Sequence, residues 1–196
     1  MWNHVAIGPR QCGKSTIAAI YALWRVLRQP NITVVLFTPK FALGEELLRI
    51  IADLRTRLGA GPNFVKRNKE YLEFENKSRI KLATGVTHLI GVSCDLLLFD
   101  EAAFISDPDH VMYAILPVYL SGNNTQIIFL STPRGYDNYL YGIYTKACNG
   151  ENSFIATRMN ADDLPHRAEQ IKLWTGVKDA LFYEREIEGR FYGYGK

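Results

Sequence analysis

The feature that most constrains this chain is the stretch Gly8-Pro9-Arg10-Gln11-Cys12-Gly13-Lys14-Ser15-Thr16. It reads G-x-x-x-x-G-K-S, with Gly8, Gly13, Lys14 and Ser15 at the positions a phosphate-cradling P-loop requires. The glycines let the backbone curl so that its N–H groups face inward toward an anion. A helix starting at the end of the loop adds the partial positive charge of its N-terminus. Lys14 has the reach for β- and γ-phosphates, and the Ser15 hydroxyl suits Mg²⁺. The flanks agree. Residues 3–7 form a strand-like run, and Ile17, Ile20, Tyr21, Trp24 and Leu27 recur at three- and four-residue steps, predicting the apolar face of a helix. Strand, loop and helix follow in the order of a nucleotide site.

The remaining pattern predicts an α/β fold. Residues 32–37, Ile-Thr-Val-Val-Leu-Phe, form a β-branched apolar run of the kind buried on both faces of a parallel sheet. One helix after the P-loop strand, it completes a right-handed βαβ unit. Leu43, Leu47, Ile50, Ile51, Leu54 and Leu58 mark a helix over 41–58, stopped by Gly59-Ala60-Gly61-Pro62. Alternation over 71–75 and 79–83 around Asn76-Lys77-Ser78 predicts an antiparallel edge hairpin with one wet face. Further helices are expected from about 107, over 139–148, 164–174 and 178–188, and short strands over 126–130 and 153–157.

Leu96-Leu97-Leu98-Phe99 ends in Asp100-Glu101, a buried strand that delivers two carboxylates to its C-terminal edge, where α/β sheets bind ligands. Asp100 is placed to hold Mg²⁺ and Glu101 to activate an attacking water. The strand over 126–130 ends in Ser131-Thr132-Pro133-Arg134-Gly135. These hydroxyls are read either as sensors of a γ-phosphate or as a simple strand-to-turn exit.

Composition excludes several classes. The 196 residues suit one domain with a single core, and 47% apolar with 22% charged residues is ordinary for a globular chain. No run of 18 apolar residues and no leader pattern is present, so neither a membrane span nor secretion is expected. Cys12, Cys94 and Cys148 show no C-x-x-C spacing, which argues for a reducing compartment and against structural zinc. Cys12 lies inside the anion cradle and is read either as a reactive thiol that nucleotide shields or as a loop filler. The net charge of 23 − 20 = +3 does not identify a nucleic-acid partner. Lys66, Arg67 and Lys69, with Lys77, Arg79 and Lys81, are denser; they read as a phosphate-backbone contact or as a solvated hairpin face.

Taken together, Gly-Pro-Arg-Gln-Cys-Gly-Lys-Ser-Thr, Leu-Leu-Leu-Phe-Asp-Glu-Ala-Ala-Phe and Phe-Leu-Ser-Thr-Pro-Arg-Gly resemble the large terminase subunit. That family contains the ATPase motors that package DNA into tailed-bacteriophage and herpesvirus capsids. The likeness spans Gly8 to about Phe191, and Phe182-Tyr183-Glu184-Arg185-Glu186 looks like the family's close of the ATPase domain. The resemblance implies a P-loop NTPase of the RecA-like ASCE type and a Mg²⁺-dependent ATP hydrolase that moves double-stranded DNA. By resemblance it works as a ring, with a portal protein and a small terminase subunit, in the host cytoplasm or, for a herpes-type virus, the nucleus. Residue by residue, Gly8 to Thr16 bind phosphates, Ser15 and Asp100 hold the metal, and Lys14 and Glu101 act in catalysis. Arg10 matches the family's P-loop arginine at the γ-phosphate, and Ser131 and Thr132 fall on its coupling motif.

The chain also departs from that pattern. Seven residues precede Gly8, so the family's adenine-contacting segment is expected to be incomplete. Ile90-Gly91 stands where many members carry Arg-Gly, leaving Arg79 or Arg134 as the expected arginine acting across subunits. No nuclease-type acidic cluster follows Glu188. The expected organisation is an ATPase domain over 1–190, the start of a linker over 191–196 and no nuclease domain. The rivals are a helicase-like translocase and a nucleotide-dependent binding or assembly module with negligible hydrolysis.

Overall fold

Fully apolar strands need cover on both faces, and the sheet supplies it. A computed structural model describes residues 2–120, 125–160 and 180–193. Its strands are β1 (Asn3–Ile7), β2 (Thr33–Phe37), β3 (Phe64–Arg67), β4 (Tyr71–Phe74), β5 (Arg79–Ala83), β6 (Leu96–Phe99), β7 (Gln126–Ser131) and β8 (Phe154–Arg158). They form one mostly parallel sheet in the order β3-β4-β5-β2-β6-β7-β1-β8. The described helices are α1 (Lys14–Arg28), α2 (Phe41–Leu58), α3 (Pro108–Leu120), α4 (Tyr139–Cys148) and α5 (Ala180–Glu186). The helix expected over 164–174 and the start of the last one lie outside the described residues.

The chain divides into two compact units, one comprising Ser15–Asp100 and Ile105–Ile128, the other Trp2–Lys14, Glu101–Phe104 and the described residues from Phe129 onward. In the first unit, β2 pairs parallel with both β5 and β6, with Phe37 opposite Ala83 and Phe99. Every residue of β6 is buried. The ladder runs past the strand end, where the Asp100 N–H donates to the Phe37 carbonyl at 2.9 Å. The β2–β6 register therefore sets the height at which Asp100 leaves the sheet.

Two elements of this unit differ from expectation. The edge holds three strands: β3 pairs antiparallel with β4, in front of the expected β4–β5 hairpin. Its short run carries Lys66 and Arg67 outward, which hides it from an apolar pattern; such charges also guard an exposed edge. The second difference is the rotation of α1. Ile17, Ile20 and Trp24 stand about half exposed (49%, 50% and 51%), while Ala18, Ala19, Ala22, Leu23 and Val26 are buried. Both sets have helical spacing. The alanines win because Tyr21 and the buried Arg25 each donate to the Gln126 side-chain oxygen at 2.7 Å, which fixes the rotation.

In the second unit, β1 pairs parallel with β8 from Asn3–Phe154 to Ile7–Arg158. Helix α4 starts at Asn138, whose side chain accepts from the Leu140 N–H. The tail after α5 is packed: Phe191 is buried against Tyr141 and Tyr144, and Tyr192 bridges to Gly135. Aromatic area of this kind anchors a chain end.

Candidate nucleotide site

The P-loop leaves β1 with its first N–H, that of Gly8, donating to the Ser131 carbonyl at 3.1 Å. Gln11 and Gly13 take positive φ, 57° and 88°, which bends the loop back toward α1. Lys14 is buried, and its ammonium donates to the carbonyls of Gly8 (3.0 Å) and Pro9 (2.6 Å) and to the Thr132 hydroxyl (3.3 Å). The cation thus points into the loop and the end of β7. Pro9 is buried, and Arg10 and Gln11 are exposed. Cys12 is buried, with its sulfur 3.7 Å from the Met159 sulfur, so the structure favours the loop-filler reading.

The same unit holds Glu101, Ser131 and Thr132. Glu101 takes a positive φ of 53°, unusual outside glycine and of the kind found where a functional side chain is aimed against local preference. Its carboxylate accepts from the Thr132 N–H at 3.5 Å. Ser131, fully buried, accepts from the Ala103 N–H at 3.0 Å. The acidic turn is pinned further by Tyr139, which donates to the Ala102 carbonyl at 2.8 Å, and by the Asn138 amide, which donates to the Ala103 carbonyl at 2.9 Å. Burial pushes the Tyr139 phenol well above its ordinary value. So Ser131 and Thr132 are more than a strand exit: they tie the first residue of the P-loop, its lysine and the acidic turn together.

In the other unit, the Ser15 hydroxyl donates to a carboxylate oxygen of the buried Asp100 at 2.7 Å. A hydroxyl and a carboxylate are hard oxygen donors that fit Mg²⁺, which takes one or two carboxylates and leaves further positions to water and phosphate. Among the described residues no cluster of three His, Cys, Asp or Glu side chains competes as a metal site. Thr16 is exposed at the start of α1.

The two candidate arginines part company. Arg79 begins β5 opposite Thr33, at the sheet edge remote from the strand end that carries Asp100, and pairs with Glu73 at 3.9 Å. Arg134, in the unit of Glu101, lies exposed just past Thr132, with its guanidinium 5.5 Å from the Phe104 ring centre. The basic edge is internally engaged: Lys66 lies over Tyr71, Arg67 over Phe64, and Lys69 pairs with Glu45 at 3.0 Å. This agrees with a solvated face.

A family model described as terminase large subunit, T4likevirus-type, N-terminal, matches residues 5–193. The chain belongs to the terminase large-subunit family. A terminase large subunit of Escherichia phage T5 is 31% identical over 140 residues, 68% of this chain and 32% of that protein. The large terminase ATPase domain of Thermus phage P74-26 superposes with a TM-score of 0.77 at 17% identity, covering 97% of this chain and 88% of that one. The large terminase of another thermophilic bacteriophage, in complex with ADP, gives 0.78 at 16%, covering 96% of this chain and 48% of that one. The chain thus spans about a third of the T5 protein and about half of the ADP-bound one. The fold is the P-loop NTPase fold of terminases.

Sequence reasoning misses Glu186 and Gly189. The Arg10 guanidinium lies 3.7 Å from the Glu186 carboxylate. Gly189, at φ 61°, presses on the loop: a Cβ there would meet the Pro9 side chain and the Met159 carbonyl at 2.8 Å. The only sequence signal is a glycine three residues past Glu186, at the end of an acid-rich helical run.

Proposed function

We propose that this chain is the ATP-hydrolysing module of a viral DNA-packaging terminase. The observation that carries the reading is the bond of Ser15 to Asp100 at 2.7 Å in one unit, matched in the other by Thr132, which contacts both Lys14 and Glu101. Lys14 exchanges loop carbonyls for phosphate oxygens. Ser15 and Asp100 are the residues to hold Mg²⁺, which supplies charge neutralisation to the phosphates. Glu101, held at the Thr132 N–H, orients the water and takes its proton, and Thr132 registers what happens at Lys14. Arg10 supplies positive charge from within the loop, and Arg134 is the better-placed candidate to act on a neighbouring subunit.

ADP and ATP-γ-S complexes of the thermophilic-phage terminase support adenine nucleotides as ligands. Membership of the family supports double-stranded DNA, a portal protein and a small subunit as partners, a ring as the working form and the host cytoplasm as its place. No described helix is long and apolar enough to cross a membrane. The ATPase module is taken as 1–190, and the contacts of Phe191 and Tyr192 support counting the start of the next segment with it.

The test is steady-state ATP hydrolysis at several protein concentrations, wild type beside Glu101→Ala. A rate per subunit that rises with concentration and vanishes in the variant supports a motor completed by its neighbour. A rate independent of concentration but lost in the variant places all catalytic groups in one chain. Wild type no faster than the variant overturns the hydrolase in favour of a nucleotide-dependent binding module.

A further inference from the structure

Glu101 leads into a short 3-10 turn, Ala102–Phe104, closed by the Phe104 N–H donating to the Glu101 carbonyl at 2.9 Å. A turn this short, entered at a φ of 53°, persists only where its surroundings hold it. Ala102 and Ala103 are fully buried but end at Cβ, so the holding falls to their backbone groups. Ala103 is gripped on both of its own. Its N–H donates to the Ser131 hydroxyl at 3.0 Å, and its carbonyl accepts from the Asn138 amide at 2.9 Å. The same Asn138 side chain caps α4, its oxygen accepting from the Leu140 N–H at 3.0 Å. A backbone acceptor at one end and a backbone donor at the other settle how the amide is turned, nitrogen toward the acidic turn and oxygen toward the helix. All of these residues belong to the second unit.

We propose that Asn138 is a positioning residue for Glu101, fixing the acidic turn to the start of α4 so that the carboxylate stays aimed at the attacking water. The inference rests on the hydrolase reading of the site. The turn hangs between two anchors, the Ser131–Thr132 end of β7 and the start of α4. Thr132 meets the Glu101 carboxylate at 3.5 Å, a long contact that leaves the side chain's direction to the backbone beneath it. Without the Asn138 amide the Ala103 carbonyl is buried and unpaired, and the turn must shift to find another partner. A misplacement of about 1 Å at a catalytic group costs up to about 100-fold in rate. Lys14 and Ser15 take their bonds from other residues, so nucleotide affinity does not depend on this amide.

Capping and positioning separate in Asn138→Asp. Aspartate caps a helix as well as asparagine does, but it has no N–H for Ala103 and turns a carboxylate toward that carbonyl. Steady-state ATP hydrolysis is measured for wild type, Asn138→Asp, Glu101→Gln and the double variant. Amide hydrogen exchange over 101–104 is followed without nucleotide. Asn138→Asp is expected to lower kcat about tenfold with KM unchanged, and to speed exchange at Ala103 and Phe104. Where Glu101 is already Gln, the second substitution should cost less than about twofold, because residues that act as a unit are not additive. The same loss in both backgrounds is what a merely structural role gives, and it overturns the proposal. So does a fall in kcat without faster exchange in the turn. If Asn138→Asp loses the native circular dichroism spectrum, Asn138→Ser, which also caps, replaces it with the same expectations. Faster exchange with kcat unchanged overturns this inference alone. Wild type no faster than Glu101→Gln defeats the hydrolase reading, and this inference with it.

Discussion

The two compact units hold their candidate site residues differently. On the metal side, Ser15 and Asp100 already bond to each other, and Asp100 is fixed in height by the β2–β6 ladder. There the two oxygen donors already stand together. On the phosphate side, Lys14 is spent on the Gly8 and Pro9 carbonyls and on Thr132, and Glu101 sits in a strained backbone conformation. A phosphate must displace those loop partners, and the displacement reaches Thr132 and, through Ser131, the acidic turn. The rigid half is suited to holding; the half whose bonds must exchange is suited to transmitting.

The largest break in this contrast should come from Glu101→Gln. General-base removal is worth about 10²–10⁴-fold in rate. We expect kcat for ATP hydrolysis to fall by that order with nucleotide affinity nearly unchanged, because Glu101 is held by the Thr132 N–H and the metal pair is closed by Ser15 and Asp100. A matching loss of affinity would show that the acid is part of the binding half. Next come Lys14→Ala and Ser15→Ala. The first removes charge-assisted bonds worth about 1.5–3 kcal/mol each, so nucleotide should bind about tenfold or more weakly with or without Mg²⁺. Ser15→Ala should weaken binding only when Mg²⁺ is present. Titrations in EDTA and in Mg²⁺ separate the two, and equal losses in EDTA would erase the distinction between the halves.

A smaller effect is expected in the support of the acidic turn. Tyr139→Phe removes one buried hydrogen bond to the Ala102 carbonyl, which should cost about 1 kcal/mol of stability. Because that bond positions the turn after β6, kcat should fall a fewfold while Mg²⁺ dependence stays put. A urea denaturation series beside a Mg²⁺ titration checks both. A shifted Mg²⁺ requirement would mean that the turn also governs the metal side.

Much of this organisation is legible in the sequence, for identifiable reasons. The P-loop spacing, the apolar run ending in Asp100-Glu101 and the hydroxyls at the end of β7 are local patterns, and local geometry suffices to place them. The rotation of α1 is misjudged because alanines carry little weight in an apolar count. The buried face is nevertheless set by Ala18, Ala19 and Ala22 and by the bonds of Tyr21 and Arg25 to Gln126, more than a hundred residues away. Glu186 is invisible for the same reason: its contact with Arg10 closes a loop of most of the chain. Strand β3 escapes notice because an edge strand facing water need not alternate.

The smallest expected effect again contrasts the two units, now in alkali. Burial, helped by the neighbouring Asp95 charge, pushes the Cys94 thiol from an ordinary 9.0 up to about 12. The sign follows from the unfolded chain, which ionises this thiol near 9.0 while the folded chain keeps it neutral. The contribution is therefore fully present below about pH 9 and is lost as pH rises toward about 12. By about pH 9.5 the loss amounts to about 0.8 kcal/mol. Cys94→Ala should start less stable, for loss of packing before β6, yet decline more slowly between about pH 8 and 9.5. Tyr139, also raised by burial but in the other unit, should matter only above its ordinary value of 10.0, so Tyr139→Phe should keep the wild-type slope in that window. Urea midpoints at the two pH values decide it. If Cys94→Ala falls as steeply as wild type, the early alkaline loss arises elsewhere and the strand that carries Asp100 is not where the fold first yields.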